Sequence, residues 1–479
     1  MFTTTDLFGR FHCPKSPLHR ARQPVTALPP HELQRLFGPS LPAGLLAPAD
    51  QGPNSRQRVF SVHVTFWTFL WQCFNPGSSC SEAVKTVIAW FAQLGRRPVS
   101  PDDSPYCQAR PRLGLEIFRR ALRAAAQTAE QCAGSQWRFH QREVLVGDGT
   151  TSAAADTPPN QRAFPQSRRQ LPGCGFPLVR WVALFSLASG ALLEVAHGNK
   201  HCSEQKLFRQ IWDRLQAGMI FLADRGFCDF ATLAALWLRQ VDSVLRLHAS
   251  RNADLRQGKR LGRYDRLVTW QKPPRQPRTA TRKLWRRLPA QITLRLIRYP
   301  VCVPGFRSRH ILLATTLLDP KLYPAAELAQ LYLRRWRVEL FLRDLKTTLG
   351  LDRLTCKTPA MLYRELLMHL IAYNLLRSLM VQAATLYAVD VERISFKGTL
   401  ATVRHFAPVM AQARSRRQQL QWLDALLRVL AVDLLPVRPH RVEPRVQKRR
   451  RKAYPFMMKP RAELKAQLLR GRNTKNQRA

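Results

Sequence analysis

Two short apolar runs, EVLVGD at 143–148 and MIFLAD at 219–224, most constrain what this chain can fold into. Each is a β-type run that ends on a carboxylate, as expected of strands buried on both faces. Between them, PLVRWVALFSLASGALLEVAHG reads as two strands around Ala188-Ser189-Gly190, a hairpin. SEQKLFRQIWDRLQAG follows as a helix closed by Gly218, and DFATLAALWLRQ is a helix after the second run. The order strand, hairpin, helix, strand, helix predicts an α/β fold with a mixed sheet covered by helices.

The flanking segments differ in period. Residues 1–135 are mainly helical with Pro-rich interruptions. ARPRLGLEIFRRALRAAAQTAEQCAG places Leu113, Ile117, Leu122 and Ala125 near one face, with arginines elsewhere. The core then spans 136–242 and resumes at 319–400. Residues 243–318 carry four strand-like stretches separated by basic, Pro-rich loops, an all-β insertion. Residues 401–479 are helical with a basic tail: Arg438 to Ala479 holds 15 Lys/Arg and 2 Glu, including KRRRK. Such a tail suits tracking of phosphates. The alternation on either side of the insertion predicts a ribonuclease H-like core.

Three acids stand out by position. Asp148 and Asp224 each end an apolar strand, where α/β sheets commonly place chemistry. A turn-initiating aspartate is the bland alternative, and Asp148-Gly149 suits it. The third acid lies in YLRRWRVELFLRDLK at 332–346, which holds five basic residues and two acids. At about 100° per residue, Tyr332, Arg335, Glu339 and Lys346 fall within roughly 60° of one another on a helix. Arg343 lies near the same stripe. A solvated face with Glu339 paired to Arg335 and Arg343 is the alternative. Two strand-end aspartates and one helical glutamate form a hard-oxygen set that suits two Mg²⁺ ions, leaving positions for water and phosphate.

Charge points the same way. The 77 Lys and Arg outnumber 31 Asp and Glu, a net charge of +46 in 479 residues, which implies a polyanionic partner, most simply nucleic acid. An anionic membrane surface is the rival. No run of about 18 apolar residues occurs, so no membrane span is expected. The N-terminus lacks a hydrophobic signal core. Ten cysteines without a C-x-x-C pair read as reduced thiols of a cytoplasmic protein, without a structural zinc.

The spacing Tyr332-x2-Arg335-x3-Glu339-x6-Lys346 resembles the Tyr-Arg-Glu-Lys signature of bacterial DDE transposases of the "insertion sequence four" family. GDGTT at 147–151 with DTPPNQ at 156–161 is similar to that family's first-aspartate region, and LADRGFCDF at 222–230 to its second. The resemblance spans roughly residues 30–460 and implies that Asp148, Asp224 and Glu339 bind the catalytic Mg²⁺ ions, with Mn²⁺ as a substitute. It implies hydrolysis at the transposon end, attack by the freed 3′-hydroxyl, and second-strand cutting through a hairpin. Tyr332, Arg335, Lys346 and Arg343 would hold phosphates. The partners implied are double-stranded DNA, both terminal inverted repeats and target, and a second copy of the chain in a dimer assembled on DNA. A ribonuclease H-like nuclease or a domesticated DNA-binding protein is the alternative.

A hairpin route needs a sharp bend in DNA, which flipping a base out eases, and an aromatic ring can hold that base by stacking. Trp270 in the insertion is the candidate, with Trp285 behind it; packing of the insertion's own core is the alternative. Asn160 and Gln161 are candidate DNA contacts, or ordinary loop caps.

Overall fold

Alternating apolar residues build one continuous sheet in the computed structural model, which describes residues 31–47, 58–93, 95, 99–134, 137–247, 255–301, 310–437 and 457–476. The described residues before the first strand are helical: α1 (His31–Phe37), α2 (Val62–Phe74), α3 (Cys80–Gln93), α4 (Ser104–Ala109) and α5 (Leu115–Ala133). α5 buries Phe118, Ala121, Leu122, Ala125 and Ala129. Leu113 lies just before the helix and Ile117 is only partly buried. Small side chains on this face let a long later helix lie close against it.

The sheet begins with β1 (Val144–Ala154), α6 (Pro158–Ala163), β2 (Leu178–Ser186), β3 (Leu192–Asn199), α7 (Glu204–Phe208), β4 (Ile220–Ala223), α8 (Phe230–Leu238) and β5 (Asp242–Arg246). The strands lie in the order β3-β2-β1-β4-β5. β2 runs antiparallel to β1 and β3, whereas β1, β4 and β5 are parallel. This is a ribonuclease H-like core, as the element order predicts. Gly190 turns the β2–β3 hairpin with φ of 73°, and Arg377 clamps it by donating to the Ser189 carbonyl at 3.0 Å through Nε.

The segment that follows extends the same sheet. It holds β6 (Lys259–Gly262), β7 (Asp265–Gln271), α9 (Arg282–Arg287), β8 (Gln291–Pro300) and β9 (His310–Thr315). β9 pairs with β5 on one edge and β8 on the other, so the order continues β5-β9-β8-β7-β6. Then come α10 (Ala325–Leu333), α11 (Arg337–Arg343), the two-residue β10 (Arg353–Leu354), α12 (Pro359–Leu386), α13 (Phe396–Ala411), α14 (Arg416–Val432) and α15 (Arg461–Asn476). β10 adds to the far end of β1. The KRRRK run lies outside the described residues.

Strand alternation divides the core between two layers. Val144 and Val146 pack with Leu222, Val338, Phe341 and Leu345 beneath α11 and α12. Leu145 and Phe221 pack on the other face with Leu207, Phe208 and Leu233 of α7 and α8. α12 is long and apolar enough to cross a membrane by length and composition, but 89% of its apolar window is buried inside the fold.

The helix expected over 203–218 is much shorter. α7 stops at Phe208, and a tight turn at Trp212–Arg214 follows. Phe208, Ile211, Trp212 and Leu215 are all buried in one layer, and the chain bends to seat them there.

Candidate active site

The first correction concerns Asp148. It does not end its strand: β1 continues to Ala154 because residues 148–153 pair with 183–178 of β2. The side-chain pattern of GTTSAA carries no strand signal, and the neighbouring strand supplies it. What does end beside Asp148 is the parallel neighbour. Val146 pairs with Leu222, and β4 stops at Ala223. Asp148 and Asp224 therefore stand two residues beyond the same rung, on chains that run about 4.8 Å apart within a sheet. Asp148 is in phase with Val144 and Val146, so it faces the α11 layer.

Glu339 arrives from α11, which packs on β1. The basic helix does not keep ideal α geometry. Residues 334–336 tighten into a 3₁₀ turn and 344–348 widen into a π turn. Irregular turns of this kind often accompany function. Even so, Tyr332, Arg335, Glu339 and Lys346 keep to the strand-end side. Arg335 pairs with Glu339 at 3.2 Å, and its guanidinium lies 5.8 Å from the Tyr332 ring centroid. Lys346 donates to Thr150 Oγ1 of β1 at 3.3 Å.

The electrostatics are unusual for so basic a chain. Burial pushes the Asp148 carboxyl up to about 6, with Glu204 and Glu339 adding to the rise. The Gly149 amide, which donates to Asp148 Oδ1 at 2.7 Å, and Arg335 oppose it. Burial alone would lower Arg335. Tyr332, Asp224, Glu339 and Asp148 together outweigh it and hold the guanidinium above its ordinary value. One arginine thus answers to all three predicted acids. The Tyr332 hydroxyl is buried beside Arg335, and burial pushes its pKa up; Arg335 opposes the rise and Asp224 adds to it.

Arg343 does not belong to this group. Its side chain is 61% exposed and pairs with Asp344 at 3.7 Å. It lines a separate cavity with Arg377, Glu392 and Phe396. Asn160 is also corrected as a DNA contact, because it is fully buried. Its Nδ2 donates to the carbonyls of Ala155 at 3.0 Å and Cys356 at 3.1 Å. Gln161 is spent on its own loop: it donates to Asp156 and the Gly175 carbonyl and accepts from the Gln166 amide. Trp270 sits on β7 opposite Ile292, half-buried against the second core layer. Trp285 packs on Phe230, and Lys272 lies 4.9 Å from its ring centroid.

Sequence reading gave Glu204 no part in this group. It starts α7, and its signal is only three-dimensional: the side chain lies against Gly149, next to Asp148. A second cluster was hidden for the same reason. Cys80 of α3, with Asp103 and Cys107 at α4, brings two sulfurs and a carboxylate oxygen within 4.8 Å of one another. Arg110 donates to Cys107 at 3.7 Å and to Cys356 at 3.9 Å. A guanidinium already supplies the positive charge there, and we assign no metal to it.

Comparison with known proteins bears directly on the cleft. Residues 139–375, which include all three acids, match the family model described as the transposase DDE domain. The chain is 30% identical over 408 residues to the transposase InsG for insertion sequence element IS4 of Escherichia coli (strain K12), covering 84% of this chain and 88% of that protein. A distant likeness, at 9% identity and a TM-score of 0.39, is to the cryo-EM structure of a piggyBac transposase synaptic complex with hairpin DNA, over 84% of this chain and 85% of the other.

Proposed function

The chain belongs to the insertion-sequence-four family of DDE transposases, and from that premise we propose that Asp148, Asp224 and Glu339 form its DNA-cutting centre. The substrates are the terminal inverted repeats of its element and then target DNA. The reaction is hydrolysis of a phosphodiester at the element end, followed by joining of the freed 3′ end to target.

Three carboxylates supply hard oxygen donors of the kind a divalent ion takes. Asp148, Asp224 and Glu339 would hold two Mg²⁺ ions, with Mn²⁺ as a substitute. When bound, the ions supply a polarised phosphate and a more acidic attacking hydroxyl. The chain's own residues do the rest. Arg335 and Lys346 grip phosphate oxygens flanking the cut, and Tyr332 donates its hydroxyl to the same backbone. Arg335 then exchanges Glu339 for phosphate. Trp270, half-exposed on β7, is the stacking platform for a base flipped during hairpin formation. The basic helices of 1–135, with Arg119, Arg120 and Arg123 exposed on α5, hold the flanking duplex. Two copies act together on paired ends, with α14 as the contact; Leu420, Val429 and Val432 are exposed there.

The single observation that carries this reading is the register of β1 and β4: Val146 pairs with Leu222, so Asp148 and Asp224 lie two residues beyond one rung. Helix α11, which bears Glu339 bonded to Arg335 at 3.2 Å, packs on β1. The test uses a duplex ending in the element's own inverted repeat, with Mg²⁺. Nicking at the element boundary is expected, and Asp148→Ala, Asp224→Ala and Glu339→Ala should each abolish it while end binding persists. Ca²⁺ should support binding with little cutting. Undiminished nicking by any of the three variants overturns the assignment.

A further inference from the structure

We propose that Cys80 and Cys107 form a peroxide-sensitive thiol pair, which closes to a disulfide between α3 and α4 and reopens with a reducing thiol. The proposal is independent of the acid centre.

Packing brings the pair together. Cys80 is the first residue of α3 and Cys107 the fourth of α4, and their sulfurs lie within 4.8 Å of one another. Each sulfur has its own donor. Gln72 Nε2 donates to Cys80 at 4.0 Å, and the Tyr106 hydroxyl fixes that amide by donating to Gln72 Oε1 at 2.6 Å. Arg110 Nη2 donates to Cys107 at 3.7 Å. A disulfide needs about 2 Å between its sulfurs, and so rotation about the two Cα–Cβ bonds. Cys80, at the head of its helix, has no preceding helical turn to restrict that rotation.

The surroundings set this pair apart from its neighbours. Cys73 and Cys356 are buried, whereas Cys80 and Cys107 are both half-buried, within reach of a small oxidant. Arg110 makes no carboxylate ion pair among the described residues; it donates to the sulfurs of Cys107 and Cys356. A guanidinium so placed favours the thiolate, which is the nucleophile. Burial pushes the Cys80 thiol up, with Arg110 opposing and Cys107 adding to the rise, so Cys107 is the thiol that reacts first. Asp103 would complete a ligand set with the two sulfurs, but Arg110 repels a cation there. A disulfide carries no charge and meets no such repulsion.

The oxidant is a peroxide. The Cys107 sulfur attacks one oxygen of hydrogen peroxide; the O–O bond breaks, water leaves and a sulfenic acid remains. The Cys80 sulfur then attacks the Cys107 sulfur; the S–O bond breaks, and the Cys80 proton leaves in a second water. Two thiols lose two electrons, and one peroxide becomes two waters.

The test treats the full-length protein with equimolar hydrogen peroxide in chelator, alkylates the remaining thiols and maps the unreduced peptides by mass spectrometry. The Cys80–Cys107 cross-link should be the first disulfide to form, and dithiothreitol should remove it. Cys80→Ser should lose the cross-link and leave Cys107 as a sulfenic acid captured by dimedone. Cys107→Ser should lose both signals. Melting in reductant checks that the variants fold like the parent, and the parent's own map decides the matter if they do not. A parent whose Cys80 and Cys107 stay alkylated while other cysteines oxidise overturns the proposal. Cross-linking of Cys107 to Cys356 or Cys73 as readily as to Cys80 overturns it too.

Discussion

Asp265 and Asp148 sit in the two halves of one sheet and meet opposite electrostatic fates. Asp265, on β7 in the outer half, is 7% exposed and receives Arg295 at 2.9 Å through Nε and 2.5 Å through Nη2. Arg295, 1% exposed, also donates to the Tyr323 carbonyl at 2.7 Å. Every charge there has a fitted partner, and the pair ties β7 and β8 to the start of α10. Asp148, in the inner half, shares one arginine with other acids, and burial raises its pKa. An acid held bidentately by its own arginine holds structure; one with a single backbone hydrogen bond and a shared arginine is open to a ligand. The fold concentrates its local disadvantage at the strand end, where binding can relieve it.

The largest expected break in this contrast is Glu339→Ala. Strand-end nicking should fall by at least ~10³-fold, about 4 kcal/mol on the barrier, with the melting temperature in chelator held or raised. Single-turnover nicking of an end duplex reads it, and a loss under tenfold would put Glu339 outside the centre. The mirror experiment is Asp265→Ala. Removing one partner of a buried, bidentate pair leaves Arg295 uncompensated, a loss of ~3–5 kcal/mol in stability. Denaturant unfolding would show it, and a neutral result would make the pair ornamental.

The third prediction concerns pH. Asp148 has a folded pKa raised to about 6 from 3.8, so its protonated form is the one the fold favours. That contribution is fully present below pH ~4 and is lost as pH rises through about 6. Asp148→Asn should therefore match the parent at pH 4 and exceed it by ~1–3 kcal/mol above pH 7 in chelator. A difference that is flat across this range contradicts the raised value. The smallest effect is at Trp270. Replacing it with Ala should slow hairpin formation by the ~1–3 kcal/mol of one stacked base and spare the first nick. Equal loss at both steps would return the ring to packing against Ile292's strand.

Much of the site was legible because its signals are local. EVLVGD and MIFLAD had to be buried strands, and the stripe of Tyr332, Arg335, Glu339 and Lys346 survives a 3₁₀ turn and a π turn because those irregular turns still keep the four on one side. Errors came where a partner decides the outcome. Arg343 falls near the stripe by angle but turns to Asp344. Asn160 looks like an exposed loop amide, yet Cys356, nearly two hundred residues later, buries it. GTTSAA after Asp148 looks like a loop and is a strand because β2 lies beside it.

By itself, then, the sequence determined most strand and helix types, the strongly positive charge and the spacing of the three candidate acids, since apolar period, net charge and residue spacing are properties of the chain alone. The tertiary structure decided which charges are neutralised and which are left unpaired. Arg295 reaches Asp265 and Glu204 reaches Gly149 only after strands and helices pack, and Coulomb energies depend on the distance and burial that packing sets.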